Sequence, residues 1–186
     1  MSHLNPKHLQ ILVPYPIGQF CLPAHMQKET LSYWIGRIQV FPDQLRQLVL
    51  GWEATQLDTP YRPDGWTVRQ LIHHLADSHQ HAFIRFKWAL TEENPEIKAY
   101  DEKAWARLVD ATSGPILPAL DQLQALHSRW VYLLRSLNAL QLNRTFRHPE
   151  TGKTHALWEQ IGQYAWHGAH HLAHIKNLKT AMGWSD

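Results

Sequence analysis

The sequence predicts an all-α fold, a single four-helix bundle over residues 1–186. Four long segments carry apolar residues at three- and four-residue spacing, which is the period of an amphipathic helix. Strand signals are confined to one short stretch before the last helix. A chain of 186 residues without internal repeats suits one domain. These observations favour a bundle over mixed α/β architectures.

The first 26 residues are expected to form an extended arm over this domain. They contain Pro6, Pro14, Pro16 and Pro23. Proline removes a backbone donor and restricts the residue before it, so this density excludes a long helix.

The first helix is predicted over residues 31–49. Its apolar residues recur at helical spacing, and Pro42 is expected to bend or divide it. The following "TPYRPDGW" has the composition of a turn. The apolar stripe consists of Leu31, Trp34, Ile35, Ile38, Leu45, Leu48 and Val49.

The second helix is predicted from an N-cap at Thr67 to about Leu90. Residues 91–114 give a mixed pattern and are expected to be irregular. Pro115 opens a third helix that extends through Leu137. "TFRHPETGKTHAL" predicts a short hairpin or loop, because Pro149 and Gly152 interrupt it. A fourth helix is predicted over residues 155–182.

Composition and charge exclude several functional classes. The net charge is +2 without a basic run, which argues against a nucleic-acid-binding surface. No apolar stretch reaches 18 residues, so no membrane span is expected. The N-terminus lacks the pattern of a signal peptide. Cys21 is the one cysteine, which excludes an internal disulfide and fits a cytoplasmic protein.

Histidines are concentrated in the predicted fourth helix, in "WHGAHHLAHIKNL". His167, His170, His171 and His174 fall within an arc of roughly 100° around the helix. Residues 160–175 contain no charged side chain apart from these titratable rings. A solvated face normally carries Lys or Glu, so this face is expected to line a pocket between helices.

The spacing of these histidines predicts a metal site. Imidazoles at i and i+4 converge on one point near the helix surface, and both His167/His171 and His170/His174 satisfy this spacing. Spacing alone does not choose between the pairs. A third nitrogen from the second helix would leave coordination positions open, as in catalytic sites. His74 flanks the apolar stripe there and can reach the interior.

The other histidines of the second helix have different expected positions. His73 and His81 are expected to point outward, whereas His79 falls within the apolar stripe and is expected to be a hydrogen-bonded core residue.

The HExxH and Glu-x-x-His motifs are absent, which argues against zinc peptidases and carboxylate di-iron bundles. Two alternatives stay open: a non-catalytic metal- or haem-binding bundle, and a structural bundle with neutral buried histidines.

Three motifs resemble the DinB superfamily, in the branch of metal-dependent hydrolases and bacillithiol S-transferases. They are "GWTVRQLIHHLADSH", "YDEKAW" and "HHLAHIKNLKTAMGWS", and the likeness extends from Tyr15 to Ser185. The resemblance implies a four-helix bundle with one divalent ion held by three histidines. It assigns the ligands to His74, which precedes Leu-Ala-Asp, and to His170 and His174 of the last helix.

This resemblance also implies an activity. The ion would activate water for hydrolysis or a low-molecular-weight thiol for transfer to a small-molecule electrophile. Three nitrogen ligands suit Zn²⁺ or Ni²⁺. Asp77 is a candidate to orient a ligand or a water, and Cys21 is not expected to be the reacting thiol. Because metal binding requires neutral imidazoles, the ordinary histidine pKa predicts metal release below about pH 6.

A homodimer is a further expectation from the resemblance. The proline-rich arm carries Tyr15, Ile17 and Phe20, whose apolar side chains a monomer would leave exposed.

Overall fold

A computed structural model describes residues 12–184 of the chain. Within this range, long helices alternate with short helices and one hairpin. The order is α1 (Lys28–Val49), α2 (Ala54–Leu57), α3 (Val68–Thr91), α4 (Glu102–Trp105), α5 (Val109–Ser113), α6 (Ile116–Ser136), α7 (Ala139–Leu142), β1 (Thr145–Arg147), β2 (Thr154–Ala156) and α8 (Leu157–Met182).

The four long helices form the predicted bundle. Helix α1 packs against α6 and α8, and α3 packs against the same two helices from the other side. The first two long helices of the chain, α1 and α3, therefore lie at opposite corners rather than side by side. The connections α1–α3 and α6–α8 cross the ends of the bundle, and the second of them contains the hairpin. No helix within residues 12–184 is long and apolar enough to cross a membrane.

The predicted elements are found with small changes at their ends. Thr67 caps α3 as expected, because its hydroxyl accepts a hydrogen bond from the backbone N–H of Gln70. The predicted hairpin is present as β1 paired antiparallel with β2. Helix α8 begins two residues later than predicted because Thr154–Ala156 pairs with β1. The stretch predicted to be irregular contains the short helices α4 and α5.

Pro42 does not divide the first helix, contrary to one of the two expected outcomes. Helix α1 continues through it, and Pro42 is buried. A proline inside a helix cannot donate to the carbonyl four residues earlier, which here is Ile38. That carbonyl instead accepts a hydrogen bond from the ring of His127 in α6, at 2.6 Å. The neighbouring helix thus satisfies the acceptor that Pro42 leaves free.

The described part of the arm has no helix or strand and lies against α8. Residues 1–11 of the predicted arm are outside the described range. Leu12 is buried in the core, and the backbone carbonyl of Gly18 accepts a hydrogen bond from the indole of Trp166 at 3.1 Å. The ring of Tyr15 lies 6.0 Å from that of His170. The arm therefore runs beside the histidine-rich part of α8.

The core consists of two apolar clusters separated by a layer of histidines. On α3, one cluster extends to Ala76 and the other begins at Ala82, with His79 between them. On α8, the clusters are separated in the same way by the histidine segment, between Ala165 and Leu172. Polar rings thus cross the interior of the bundle at one level, and every buried polar group there needs a partner.

Candidate metal centre

Three imidazoles from two helices meet at one point of this layer. The Nε2 atom of His167 lies 3.4 Å from Nε2 of His74 and 3.1 Å from Nε2 of His171. One nitrogen of each ring falls within 4.8 Å of the other two. His74 comes from α3, and the other two rings come from successive turns of α8. Among residues 12–184, this is the group of three potential ligands that could hold a metal ion.

The spacing of these nitrogens fits a small divalent ion. Nitrogen–metal bonds of 2.0–2.1 Å at tetrahedral angles place two ligand nitrogens roughly 3.3 Å apart. The two measured separations, 3.1 and 3.4 Å, lie on either side of that value. Haem ligation needs two nitrogens on opposite faces of a flat ring, which three converging nitrogens do not provide. The arrangement therefore suits a single ion better than a haem.

Burial keeps these rings neutral, which metal ligation requires. It lowers the pKa of His74 to about 4. The pKa of His167 and that of His171 are held well below the ordinary value, first by burial and then by neighbouring histidines. A proton on one ring would face the others at close range, and no carboxylate among residues 12–184 hydrogen-bonds to these rings to balance it. The rings therefore stay unprotonated and keep their nitrogen lone pairs available for a metal cation.

The structure does not bring the predicted ligands His170 and His174 to His74. Their Nε2 atoms lie 3.2 Å from each other, so they form a second pair along the helix. The ring of His170 stacks on Trp166 at 4.5 Å, and that of His174 lies 4.4 Å from Tyr61. The rings that converge with that of His74 are those of His167 and His171.

Helix geometry explains why spacing in the sequence does not choose between the two pairs. The midpoint of His167/His171 differs from that of His170/His174 by about 60° of rotation and roughly 4.5 Å along the axis. Both pairs have the same internal spacing and face inward. The axial level of His74 on α3 selects the first pair, and that level depends on how the two helices are staggered.

The remaining candidates lie outside this centre. His73 and His81 are half-buried, and His81 stacks on Tyr100 at 4.2 Å. Asp77 is half-buried, and within the described residues its carboxyl makes no hydrogen bond to the three converging rings. Burial, with a smaller contribution from Asp110, raises the pKa of Asp77 to about 6.

His79 is the hydrogen-bonded core residue that the sequence predicted, and it also contacts the centre. It is fully buried, with Nε2 3.1 Å from Nδ1 of His167. Its Nδ1 lies 2.7 Å from Nε2 of His127. Sequence reasoning missed His127, although a signal existed. His127 follows Leu123 by four residues and precedes Trp130 by three, so it falls within the apolar stripe of α6.

A cavity of about 820 Å³ opens onto the converging nitrogens. Its walls include the aromatic rings of Tyr61, Trp66 and Trp166 beside the histidines. Charged side chains also line it, and the basic ones, Arg62, Lys103 and Arg107, outnumber the acidic ones, Asp64 and Glu102.

Comparison with known proteins agrees with the observed fold. The family model of the DinB superfamily matches residues 37–175, most of the chain. This chain belongs to the DinB superfamily. The DinB match covers α3 and nearly all of the histidine segment of α8, so both halves of the candidate centre lie within the family domain. The expected family membership is confirmed.

Close relatives of this DinB protein cover almost its whole length. A protein of Bacillus cereus (strain 03BB102), named "Putative metal-dependent hydrolase", is 49% identical over 170 residues, which are 91% of this chain and 97% of the relative. A protein of Bacillus thuringiensis subsp. konkukian with the same descriptive name is equally similar.

A solved structure supports the four-helix architecture. YfiT from Bacillus subtilis is 47% identical and superposes with a TM-score of 0.91, covering 94% of this chain and 99% of YfiT. It is described as "a probable metal-dependent hydrolase with an unusual four-helix bundle topology".

Proposed function

We propose that this protein is a metal-dependent hydrolase-type enzyme that acts on a small molecule, with one divalent ion held by His74, His167 and His171. The observation that carries this proposal is the convergence of three neutral ring nitrogens on the wall of a large cavity. Three protein ligands leave positions open toward that cavity, as catalytic sites require. The names of the relatives support the same class of activity.

The donor set favours Zn²⁺ or Ni²⁺ within this proposal. Imidazole nitrogens suit these ions, whereas Ca²⁺ and Mg²⁺ prefer oxygen ligands. When bound, such an ion supplies the positive charge that makes a nucleophile of water, or of a low-molecular-weight thiol, near neutral pH. The choice between hydrolysis and thiol transfer is therefore a choice of which nucleophile enters the cavity.

The chain's own residues complete the proposed site. His74, His167 and His171 contribute no charge, so they leave the positive charge of the ion uncompensated. The aromatic rings of Trp66 and Trp166 exclude water from the walls and offer flat surfaces to a substrate. The excess of basic side chains at the cavity favours a substrate or thiol with an anionic group.

Turnover by the metal-loaded protein tests this function. Zn²⁺- or Ni²⁺-loaded protein is expected to hydrolyse ester or amide substrates or to conjugate a thiol with an electrophile. Treatment with a chelator is expected to remove the activity, and re-addition of the ion to restore it. The exchange His171→Ala should abolish turnover because it removes a proposed ligand while the apolar clusters still hold the bundle together.

His155→Ala is the matched control for that experiment. His155 is a half-buried histidine in β2 whose ring contacts Phe146 rather than the centre. Its exchange is expected to leave turnover unchanged. A folded His171→Ala protein that works at the wild-type rate would contradict the proposed role of the ion. The active substrate class in the wild type separates hydrolysis from thiol transfer.

We also propose that the protein is a cytoplasmic homodimer. The arm exposes Tyr15, Ile17 and Leu22, which are apolar groups that a partner chain could cover. Cys21 is an exposed free thiol, which suits a reducing compartment. Sedimentation at micromolar concentration is expected to show about twice the chain mass of 21.7 kDa, and the exchange Ile17→Ser is expected to shift the equilibrium toward monomer. A wild-type protein that sediments only at the chain mass would contradict the dimer.

A further inference from the structure

A continuous series of hydrogen-bonded imidazoles leads from the proposed metal centre to the far side of the bundle. It begins at Nδ1 of His167, passes through both ring nitrogens of His79 at 3.1 and 2.7 Å, and crosses His127. The series ends at 2.6 Å on the backbone carbonyl of Ile38. It connects α8, α3, α6 and α1, which are all four long helices.

The final acceptor sets the direction of every bond in the series. A carbonyl oxygen can only accept, so Nδ1 of His127 must carry a proton. In neutral His127, Nε2 is then an acceptor, and Nδ1 of His79 must donate to it. The same reasoning makes Nε2 of His79 an acceptor for Nδ1–H of His167. In neutral His167, the remaining nitrogen, Nε2, therefore keeps its lone pair.

Both intermediate rings are neutral in this environment. His79 and His127 are almost completely buried, with exposed fractions of 0% and 2%. The ring of Phe41 packs on both, and the ring of Trp130 lies nearly perpendicular to both. Among the described residues, no carboxylate hydrogen-bonds to either ring. An apolar enclosure of this kind disfavours imidazolium.

The origin of the terminal acceptor lies in the sequence of α1. Pro42 has no N–H, so the carbonyl of Ile38 lacks the hydrogen bond that an uninterrupted helix would make there. A buried acceptor without a partner is costly, and His127 supplies that partner. Pro42 thus leaves free a carbonyl that can only accept a hydrogen bond, and this acceptor fixes which nitrogen of each ring in the series is the donor.

We propose that His79 and His127 are positioning residues that hold His167 in its Nδ1–H tautomer, with the Nε2 lone pair aimed at the metal centre. This inference rests on the proposed function, because it assigns a role toward the same ion. The opposite tautomer would place Nε2–H of His167 at the centre and two lone pairs against each other at His127 and Ile38. Hydrogen-bonded outer partners of this kind fix ring orientation and ligand basicity in metal sites.

The proposed ligands His167 and His171 differ in whether their second ring nitrogen, Nδ1, has a hydrogen-bond partner. Nδ1 of His171 is buried without a hydrogen-bond partner in the described structure, whereas Nδ1 of His167 has His79. His167 is also the ring that contacts both other ligands, at 3.4 and 3.1 Å. The series therefore orients the central member of the trio.

Two variants at residue 79 separate hydrogen bonding from packing. In His79→Gln, the amide oxygen can accept from His167 while the amide N–H donates to His127, so the direction is kept. In His79→Leu, both bonds are lost. We expect the affinity for Zn²⁺, measured by chelator competition, to fall 10- to 100-fold in His79→Leu. His79→Gln is expected to retain affinity within a few-fold of wild type.

His127→Phe tests the longer reach of the series. The phenyl ring keeps the contacts with Phe41 but removes the acceptor of His79, and His127 itself touches no proposed ligand. Its affinity for Zn²⁺ is expected to fall in the same direction as that of His79→Leu. Leu142→Ala, a buried exchange outside the series, controls for general destabilisation and should bind the ion like wild type. Urea unfolding monitored by circular dichroism places the variants on one stability scale.

Nitrogen NMR of the metal-free wild type provides a readout that needs no variant. The side-chain ¹⁵N shifts of His167, His79 and His127 are expected to report the Nδ1–H tautomer in each. An Nε2–H tautomer at His167, or wild-type affinity in a folded His79→Leu protein, would overturn the inference. If the wild type binds no stoichiometric ion, the proposed function fails, while the tautomer measurement still decides the present inference.

Discussion

Exchange of His167 for alanine is expected to lower the affinity for Zn²⁺ or Ni²⁺ by at least about 100-fold, whereas the same exchange at His174 should leave one bound ion per chain. The reason is geometric. Nε2 of His167 approaches the nitrogens of both His74 and His171, at 3.4 and 3.1 Å. His174 instead approaches His170 at 3.2 Å. A loss of 100-fold corresponds to about 2.7 kcal/mol, more than one ordinary hydrogen bond contributes.

The measurement is metal stoichiometry after dialysis, together with affinity by chelator competition, at a pH where free histidine is neutral. His155→Ala serves as a matched loss of one histidine away from the centre. His174 is almost fully buried, so its alanine variant is expected to lose stability without losing the ion. Retained binding in His167→Ala with loss in His174→Ala would support His170 and His174, the ligand pair that the family resemblance implies.

The metal-free protein is expected to lose stability steeply as the pH falls from about 6.5 toward 4. His74 and His127 each have a pKa of about 4 in the folded chain, lowered by burial, against 6.5 when unfolded. Between these values the unfolded chain binds more protons, so the free energy of unfolding falls as pH falls. A depression from 6.5 to about 4 at His74 alone amounts to about 3 kcal/mol.

Urea unfolding of chelator-treated protein at pH 7.5, 6 and 5 measures this effect. His127→Phe should reduce the pH dependence, because one of the depressed groups is gone. An unfolding free energy that stays constant from pH 7.5 to 5 would contradict neutral burial of these rings. Protons compete less well with the ion for rings whose pKa is lowered. The pH at which acid releases the ion is therefore expected to lie below about 6, the value predicted from the ordinary histidine pKa.

Because the chain belongs to a family, its relatives provide further proteins in which the proposed ligands can be tested. The relatives from Bacillus cereus and Bacillus thuringiensis align over nearly their whole length, so the ligand test is applicable to them once their corresponding histidines are identified. A DinB domain whose buried histidines are neutral and directionally hydrogen-bonded can hold its ligand geometry before the ion arrives. Such preorganisation lowers the cost of binding.

Local sequence patterns were sufficient to predict the long helices. Apolar spacing predicted all four long helices of the bundle, and Thr67 was identified as a cap because a hydroxyl there can accept from the first turn. The hairpin or loop was predicted from Pro149 and Gly152, which favour a turn. Ends of elements were less certain, since β1 pairing delays the start of α8 and such pairing is not local.

The sequence by itself determined that an uncharged histidine face on the last helix would look inward and that His74 could reach the interior, because helical period and charge are properties of neighbouring residues. Only the tertiary structure decided that His167 and His171 face His74, that His127 joins the series, and that the carbonyl freed by Pro42 terminates it. These contacts depend on the stagger and rotation of helices that are distant in the chain. Two i, i+4 pairs on one face are locally equivalent, and packing across the bundle makes them different.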